Sequence, residues 1–168
     1  MIIDRNLNNG RQVIRDLIKI IKFKDEKKIV VDIGAGEGKD VKIFHRSKNF
    51  KVHAVENYPP FVSKLKKMGF ITHDIDIESQ KLPFDDNSID LIIANQILEH
   101  CKEVFWIFSE MTRVLKKDGN LIFGVPNLSS LHNRLLLLLG RQPTCININS
   151  AHVRGFTKHG INSYLNST

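Results

Sequence analysis

Short apolar runs alternate along this chain with amphipathic stretches of helical period. Ile29, Val30, Val31 and Ile33 open the series, and comparable runs recur near 51–56, 70–74, 89–95 and 119–125. Apolar, β-branched runs of this length, bounded by turn residues, are the pattern of strands buried on both faces. Between them the spacing predicts helices at 37–47, 60–68 and 102–115. In the last of these, Val104, Phe105, Phe108, Met111 and Leu115 recur three and four apart, which marks a core-facing stripe. Trp106 falls on a neighbouring face, where it can cover the sheet or a partner. Residues 10–23 place Val13, Ile14, Leu17, Ile18 and Ile21 on one side, predicting an amphipathic leading helix against the sheet edge. Strands alternating with helices predict an α/β fold, a doubly wound parallel sheet with right-handed crossovers.

After Pro126 the strand-like runs stop. A helix is predicted over 129–139, then a polar loop over 140–150, then a short helix whose start Thr157 can cap through its hydroxyl. If the fifth strand is left as an open edge, a partner chain or the leucine-rich helix is expected to cover it.

Composition narrows the class. The chain has 168 residues, 42% apolar and 26% charged, enough for one soluble domain with a single sizeable core. Nothing approaches the ~20 apolar residues that cross a bilayer, and the most hydrophobic point, 135–139, is short. Asp4 and Arg5 interrupt the apolar start, so no secretory signal is expected. Cys101 and Cys145 have no motif spacing and read as free thiols of a cytoplasmic protein. The net charge of +7 is uneven: +4 over residues 1–28, −3 over 29–112 and +6 over 113–168. Basic ends suit a solvated surface, or attraction to an acidic substrate, an anionic membrane or RNA. No aromatic-rich basic strand or recognised nucleic-acid motif accompanies them, which disfavours a nucleic-acid partner.

The chemistry centres on Val31-Asp32-Ile33-Gly34-Ala35-Gly36-Glu37-Gly38, a glycine-rich turn directly after the first strand. Glycines there admit positive φ and let the backbone press against a ligand. The pattern is G-x-G-x-G, and Lys39 stands where a dinucleotide fingerprint needs its last glycine. Asp32, two positions before the first glycine, suits a cationic ligand better than a pyrophosphate. Further on stand Val52-His53-Ala54-Val55-Glu56 and Asp74-Ile75-Asp76-Ile77-Glu78. Leu82-Pro83-Phe84, Asn95-Gln96-Ile97-Leu98-Glu99-His100 and Leu115-Lys116-Lys117-Asp118-Gly119 follow in order. Of the other polar residues in this stretch, Asp85, Asp86 and Asn87 read as a turn, and Asp90 as a structural hydrogen-bond partner.

This ordered set, spanning roughly 29–126, resembles the class I S-adenosylmethionine-dependent methyltransferases, in the group that carries LPF and EH blocks. The resemblance implies a Rossmann-like sheet and one domain over 1–168; the chain departs from it in lacking runs for the usual final two strands, as a truncated form or with the fifth strand left open. Within it, 1–28 would be a leading helix, 29–126 the cofactor-binding core and 127–168 an acceptor-side helical segment. It implies S-adenosylmethionine as cofactor, with S-adenosylhomocysteine as product. Asp32 and the backbone of Gly34, Ala35, Gly36 and Gly38 would hold the methionine moiety, Asp32 directly or through water. Glu56, with Asn57 beside it, would take the ribose hydroxyls. Asp76 and Ile77 resemble the adenine contacts, with Asp74 a competing choice, and Asn95 and Gln96 offer carbonyls to the ammonium group.

Methyl transfer from a sulfonium needs an aligned nucleophile and, for a hydroxyl or amine, a base. His100, at the histidine of the EH pair, is the expected catalytic base, with His132 and His152 as outside choices. Ubiquinone-type relatives carry E-x-x-E-H, which can hold a metal. Gln96 replaces the first acid here, so no metal site is expected. Asn127 and His152-Val153-Arg154-Gly155-Phe156-Thr157 resemble the acceptor-side segment of methionine-biosynthesis-like and sugar- or lipid-associated methyltransferases, in which Arg154 can bind an anionic group on a small or conjugated, sugar- or lipid-linked acceptor. The alternative is a non-catalytic S-adenosylmethionine-binding module that needs a partner. A homodimer or partner chain over the open edge fits either reading.

Overall fold

The computed structural model describes residues 8–21, 27–44 and 47–167. Its centre is a five-stranded sheet of order β3-β2-β1-β4-β5, parallel throughout. The strands are β1 (Lys28–Ile33), β2 (Phe50–Val55), β3 (Ile71–His73), β4 (Ile89–Asn95) and β5 (Leu115–Gly124). The helices are α1 (Asn8–Ile20), α2 (Pro59–Lys67), α3 (Val104–Val114), α4 (Leu131–Leu138) and α5 (Lys158–Leu165). β4 is buried along its whole length, as expected of a continuous apolar run between two helical layers. One layer sets α3 and Tyr164 of α5 against Ile33, Ile92 and Ala94. The other sets Ile14 and Ile18 of α1 and Leu65 of α2 against Val30, Leu91 and Ile93. Helices on both faces make the sheet doubly wound.

The chain runs outward from β1 through β2 to β3, then returns to the far side of β1 for β4 and β5. The order therefore reverses between β1 and β4, and ligands bind such sheets outside the carboxyl ends of the strands at that point.

Several expected elements take a different form. Among the described residues no α-helix lies between the glycine turn and β2, only turns and one 3-10 turn at Val41–Ile43. Gly36 and Gly38 have φ of +53° and +73°, a conformation a right-handed helix cannot absorb. β5 starts at Leu115, earlier than 119. Ile89 faces Leu115 while Leu91 faces Asn120, so 116–119 bulge opposite Asp90. Asp90 is structural, as expected: it accepts from the Ile29 amide and pairs with Lys28 and Lys116. Phe105 leaves the stripe, 60% exposed, and Ile107 takes the buried position. The leading helix buries Ile14 and Ile18 but leaves Val13 and Leu17 exposed, and its expected end at 22–23 lies outside the described residues. The α4 leucines do not cover the sheet edge; Leu131, Leu135 and Leu138 are exposed. The loop at 140–150 contains a 3-10 turn, Thr144–Ile146. Thr157 caps α5 as expected, accepting from the Gly160 amide.

A charged clasp joins the α3 layer to the segment before β4. Glu110, buried, accepts from the Leu82 amide at 2.8 Å and from Arg113, whose guanidinium also donates to the carbonyls of Leu82 and Phe84. The Arg113 guanidinium beside Glu110 holds its carboxyl below the ordinary value of 4.5. Glu110→Gln is therefore expected to cost about 1–3 kcal/mol at neutral pH, read by urea unfolding. The gap should be full above pH 4.5 and close as pH falls through the lowered folded value, because the wild-type carboxylate is then protonated too.

Candidate functional site

The glycine turn is the first wall of the site. β1 and β2 end level, with Ile33 opposite Val55. The amides of Gly34 and Ala35 then donate to the Val55 carbonyl at 2.9 and 3.1 Å, so the chain crosses the end of β2. Glu56, the next residue of β2's exit, accepts from the Gly36 amide through Oε2 at 2.8 Å. Its Oε1 accepts from the amides of Asn57 and Tyr58. One carboxylate thus fastens the turn to the second strand while it stands at the cleft wall.

The glycines differ in what they permit. A Cβ on Gly34 would lie 2.5 Å from Ile97 Cγ1, so this glycine lets the loop after β4 pack close. A Cβ on Gly38 would meet Leu65 at 2.9 Å, again a packing reason. A Cβ on Gly36 would meet nothing within 4 Å, which leaves bare backbone turned to open space. Ala35 is buried beneath.

Asp32 lies under the turn at 2% exposure, and its Oδ2 has no hydrogen-bond partner among the described residues. Burial raises its pKa well above the ordinary aspartate value, and the charges of Asp40 and Glu56 add to that, while Arg11 opposes it. Asp40 in turn accepts from Asn95 Nδ2 at 3.0 Å and Arg11 Nε at 3.1 Å. A buried carboxyl oxygen left unmet beside a bare, positive-φ backbone fits a ligand that carries a cationic amine.

A cleft lies at the carboxyl ends of β1, β2 and β4. Among the predicted residues, Gly34, Glu56, Asn57, Asp76, Ile77 and His100 line it. Asp32, Ala35, Gly36, Gly38, Asn95 and Gln96 are not among its lining residues; they form the floor and turn beside it. Asn95 is buried, and its Oδ1 would lie 2.6 Å from a Cβ on Gly124, so that glycine makes room for it. Gln96 has φ +57°, an uncommon conformation for a side-chain-bearing residue, and its amide donates to the Gly124 carbonyl. Asp74 is exposed and outside the cleft, whereas Asp76 lines it, accepting from the Glu78 amide and the Ser79 hydroxyl. The hydrogen bond from the Glu78 amide, then that from Ser79, hold the Asp76 carboxyl below its ordinary value.

His100 is exposed at the cleft's rim, with its ring 4.7 Å from that of His152. His132 sits exposed on α4, away from the cleft lining. Arg154 donates to the Lys102 carbonyl and lies 5.6 Å from the Phe105 ring centre. Asn127 pairs with Phe156 in an isolated parallel bridge and caps its own turn through Ser129.

Sequence reasoning missed Arg11, Asp40, Ile97, Glu78 and Cys101. Glu78 lines the cleft and accepts from the amides of Lys102 and Glu103, joining the loop after β3 to the start of α3. Burial, then the nearby Glu78 and Glu99, push the Cys101 thiol up to about 12, so it lines the cleft as an inert neutral group. Ile97 alone had a signal, as the apolar residue inside the polar block after β4.

Sheet order, glycine turn and acidic strand end together place the chain among the Rossmann-like nucleotide-binding folds. Residues 31–123 match the family profile described as "Methyltransferase domain". The chain belongs to this family of class I S-adenosylmethionine-dependent methyltransferases, whose cofactor is S-adenosylmethionine. It is similar to a malonyl-[acyl-carrier protein] O-methyltransferase of Marinomonas sp., 24% identical over 107 residues, covering 61% of this chain and 40% of that one. Among solved structures it resembles a SAM dependent methyltransferase from Aquifex aeolicus, at 23% identity and TM-score 0.54, covering 66% of this chain and 62% of that one. It also resembles the YcgJ protein of Bacillus subtilis, at 23% identity and TM-score 0.69, covering 93% and 67%. The chain spans between 31% and 61% of the length of the curated relatives it matches.

The glycines yield a test that needs no ligand. Both alanine variants carry the left-handed backbone cost of about 1–2 kcal/mol, but only Gly34→Ala adds a clash, with Ile97. Denaturant unfolding should show Gly36→Ala losing about 1–2 kcal/mol and Gly34→Ala about 2–5 kcal/mol. Equal losses would contradict the contact assigned to Gly34.

Proposed function

We propose that this chain binds S-adenosylmethionine at the cleft between β1, β2 and β4 and transfers its methyl group to a small or conjugated acceptor. The observation that carries the reading is the unmet Asp32 Oδ2 in β1, followed by a turn whose bare Gly36 backbone is held by the Glu56 carboxylate. Asp32 answers the ammonium group, and the amides of the 34–38 turn hold the methionine moiety. Glu56 keeps a free lone pair on Oε2 for a ribose hydroxyl, with Asn57 beside it. Asp76 accepts from the exocyclic amine of the adenine, and Ile77 packs on the ring. Asn95 and Gln96 shape the floor, the first through Asp40 and the second through its strained backbone.

Bound S-adenosylmethionine supplies a methyl group on a sulfonium, already activated for in-line displacement. The protein's own part is to exclude water, align the acceptor and take its proton. His100, exposed at the rim, is placed to accept that proton. The basic 113–168 segment favours an anionic or conjugated acceptor, although Arg154 is partly engaged with Lys102 and Phe105. A nucleic-acid acceptor is disfavoured by the lack of a recognised binding motif.

A second reading, a binding module completed by a partner, is favoured by one observation. Leu17, Ile20 and Ile21 of the α1 side form an apolar groove with residues 120–123 of β5, at the outer edge of the sheet. A second copy or another chain suits that edge. No helix among the described residues is long and apolar enough to cross a membrane.

Calorimetric titration tests the reading. Saturable binding of S-adenosylmethionine and S-adenosylhomocysteine is expected, with no binding of NAD. Asp32→Ala and Glu56→Ala should each weaken it about 10- to 100-fold, or roughly 1.4–2.8 kcal/mol. Unchanged affinity in both variants would refute the assigned site. Cofactor binding without methylation of any acceptor screened would favour the second reading.

A further inference from the structure

We propose that Glu99, His100 and His152 form a site for one divalent transition-metal ion on the acceptor side of the cleft. Each offers one ligand atom, and these atoms all lie within 4.8 Å of one another. Glu99 is 1% exposed, and neither of its carboxylate oxygens has a hydrogen-bond partner among the described residues. A carboxyl buried with both oxygens unmet is costly unless a cation completes it.

The histidines are oriented independently of Glu99. His100 Nδ1 lies 3.2 Å from the Ala151 carbonyl, and His152 Nδ1 lies 2.8 Å from the Cys145 carbonyl. A carbonyl only accepts, so each Nδ1 carries a proton and Nε2 is the nitrogen left to meet an ion. An N–H given to a backbone carbonyl is the outer contact that fixes imidazole ligands on metals. The backbone brings the third ligand in from far along the chain. The Glu99 carbonyl accepts from the Val153 amide at 2.8 Å and from that of Arg154 at 3.2 Å, which holds the 152–154 segment against the exit of β4. The absence of an acid at Gln96 therefore does not decide the matter, because His152 takes the remaining corner.

Two imidazoles and one carboxylate suit Zn²⁺, Co²⁺ or Fe²⁺ rather than Mg²⁺ or Ca²⁺, which take oxygen ligands. Donors on a shared ion sit about 3–4 Å apart, so the three side chains need to draw together by an ångström or so at most. Three protein ligands leave a coordination position open, and His100 also lines the cleft. This deepens the proposed function and rests on it for its role, though not for its existence. In the loaded protein His100 is a ligand rather than the base. An ion there would lower the pKa of an acceptor oxygen or nitrogen held at the open position, and the released proton would leave to bulk solvent at the exposed His100 rim.

The test uses the full chain, stripped with chelator and titrated with Co²⁺. One equivalent should bind with visible d–d absorption and be displaced by Zn²⁺. His152→Ala and Glu99→Gln should each weaken binding 10-fold or more, whereas His159→Ala, an exposed histidine of α5, should not. His152→Ala alters a partly exposed loop residue and serves if Glu99→Gln fails to fold. No saturable Co²⁺ binding, or affinity unchanged in His152→Ala, overturns the proposal. S-adenosylmethionine binding measured on the same samples separates that failure from failure of the cofactor reading.

Discussion

Everything at the site depends on how the chain leaves β1. Two amides, those of Gly34 and Ala35, close onto the Val55 carbonyl, and Glu56 then catches the Gly36 amide. These bonds fasten the ends of two parallel strands together at the sheet's switch point. The cost is backbone in the left-handed region at Gly34, Gly36 and Gly38, which is why glycine recurs there at alternate positions. The same crossing places a carboxylate at the cleft wall and leaves Asp32 in the floor beneath, short of one hydrogen bond.

The polar floor is a balance of opposing charges. Asp32 and Asp40 lie close enough to raise the cost of ionising Asp32, and Arg11 and Asn95 hold Asp40 in place. A second buried acid, Glu99, stands on the other side with both oxygens unmet. Burial comes first in raising its pKa, and its own backbone amide, then the neighbouring His100 and His152, oppose it. Two buried acids with unmet oxygens thus stand at the ends of neighbouring strands, Asp32 in β1 and Glu99 just after β4.

The sheet was legible because buried parallel strands leave near-continuous apolar runs, and β4 is the clearest case. Glu56 and the glycine turn were legible because their chemistry is local in sequence. What escaped was set by tertiary contact. The helix expected at 37–47 has an acceptable residue pattern, but positive φ at Gly36 and Gly38 ends it before it starts. Phe105 and Ile107 exchange places because Tyr164 and Arg154 gather Phe105 to an outer patch. Arg11 and Asp40 sit 29 residues apart, and no periodicity reports such a pair. His152 reached Glu99 only through backbone bonds that the sequence does not display.

The proposed pairing is that of buried Asp32, its Oδ2 unmet, with a cationic amine. It is tested most directly by S-adenosylmethionine affinity as a function of pH, in the wild type and in Asp32→Asn. The raised pKa of free Asp32 means that ligand binding must expel its proton in acid, so wild-type affinity should climb with pH until that proton is gone. The variant, with no proton to lose there, should be weaker and lack that climb. Parallel profiles for the two proteins would contradict the account.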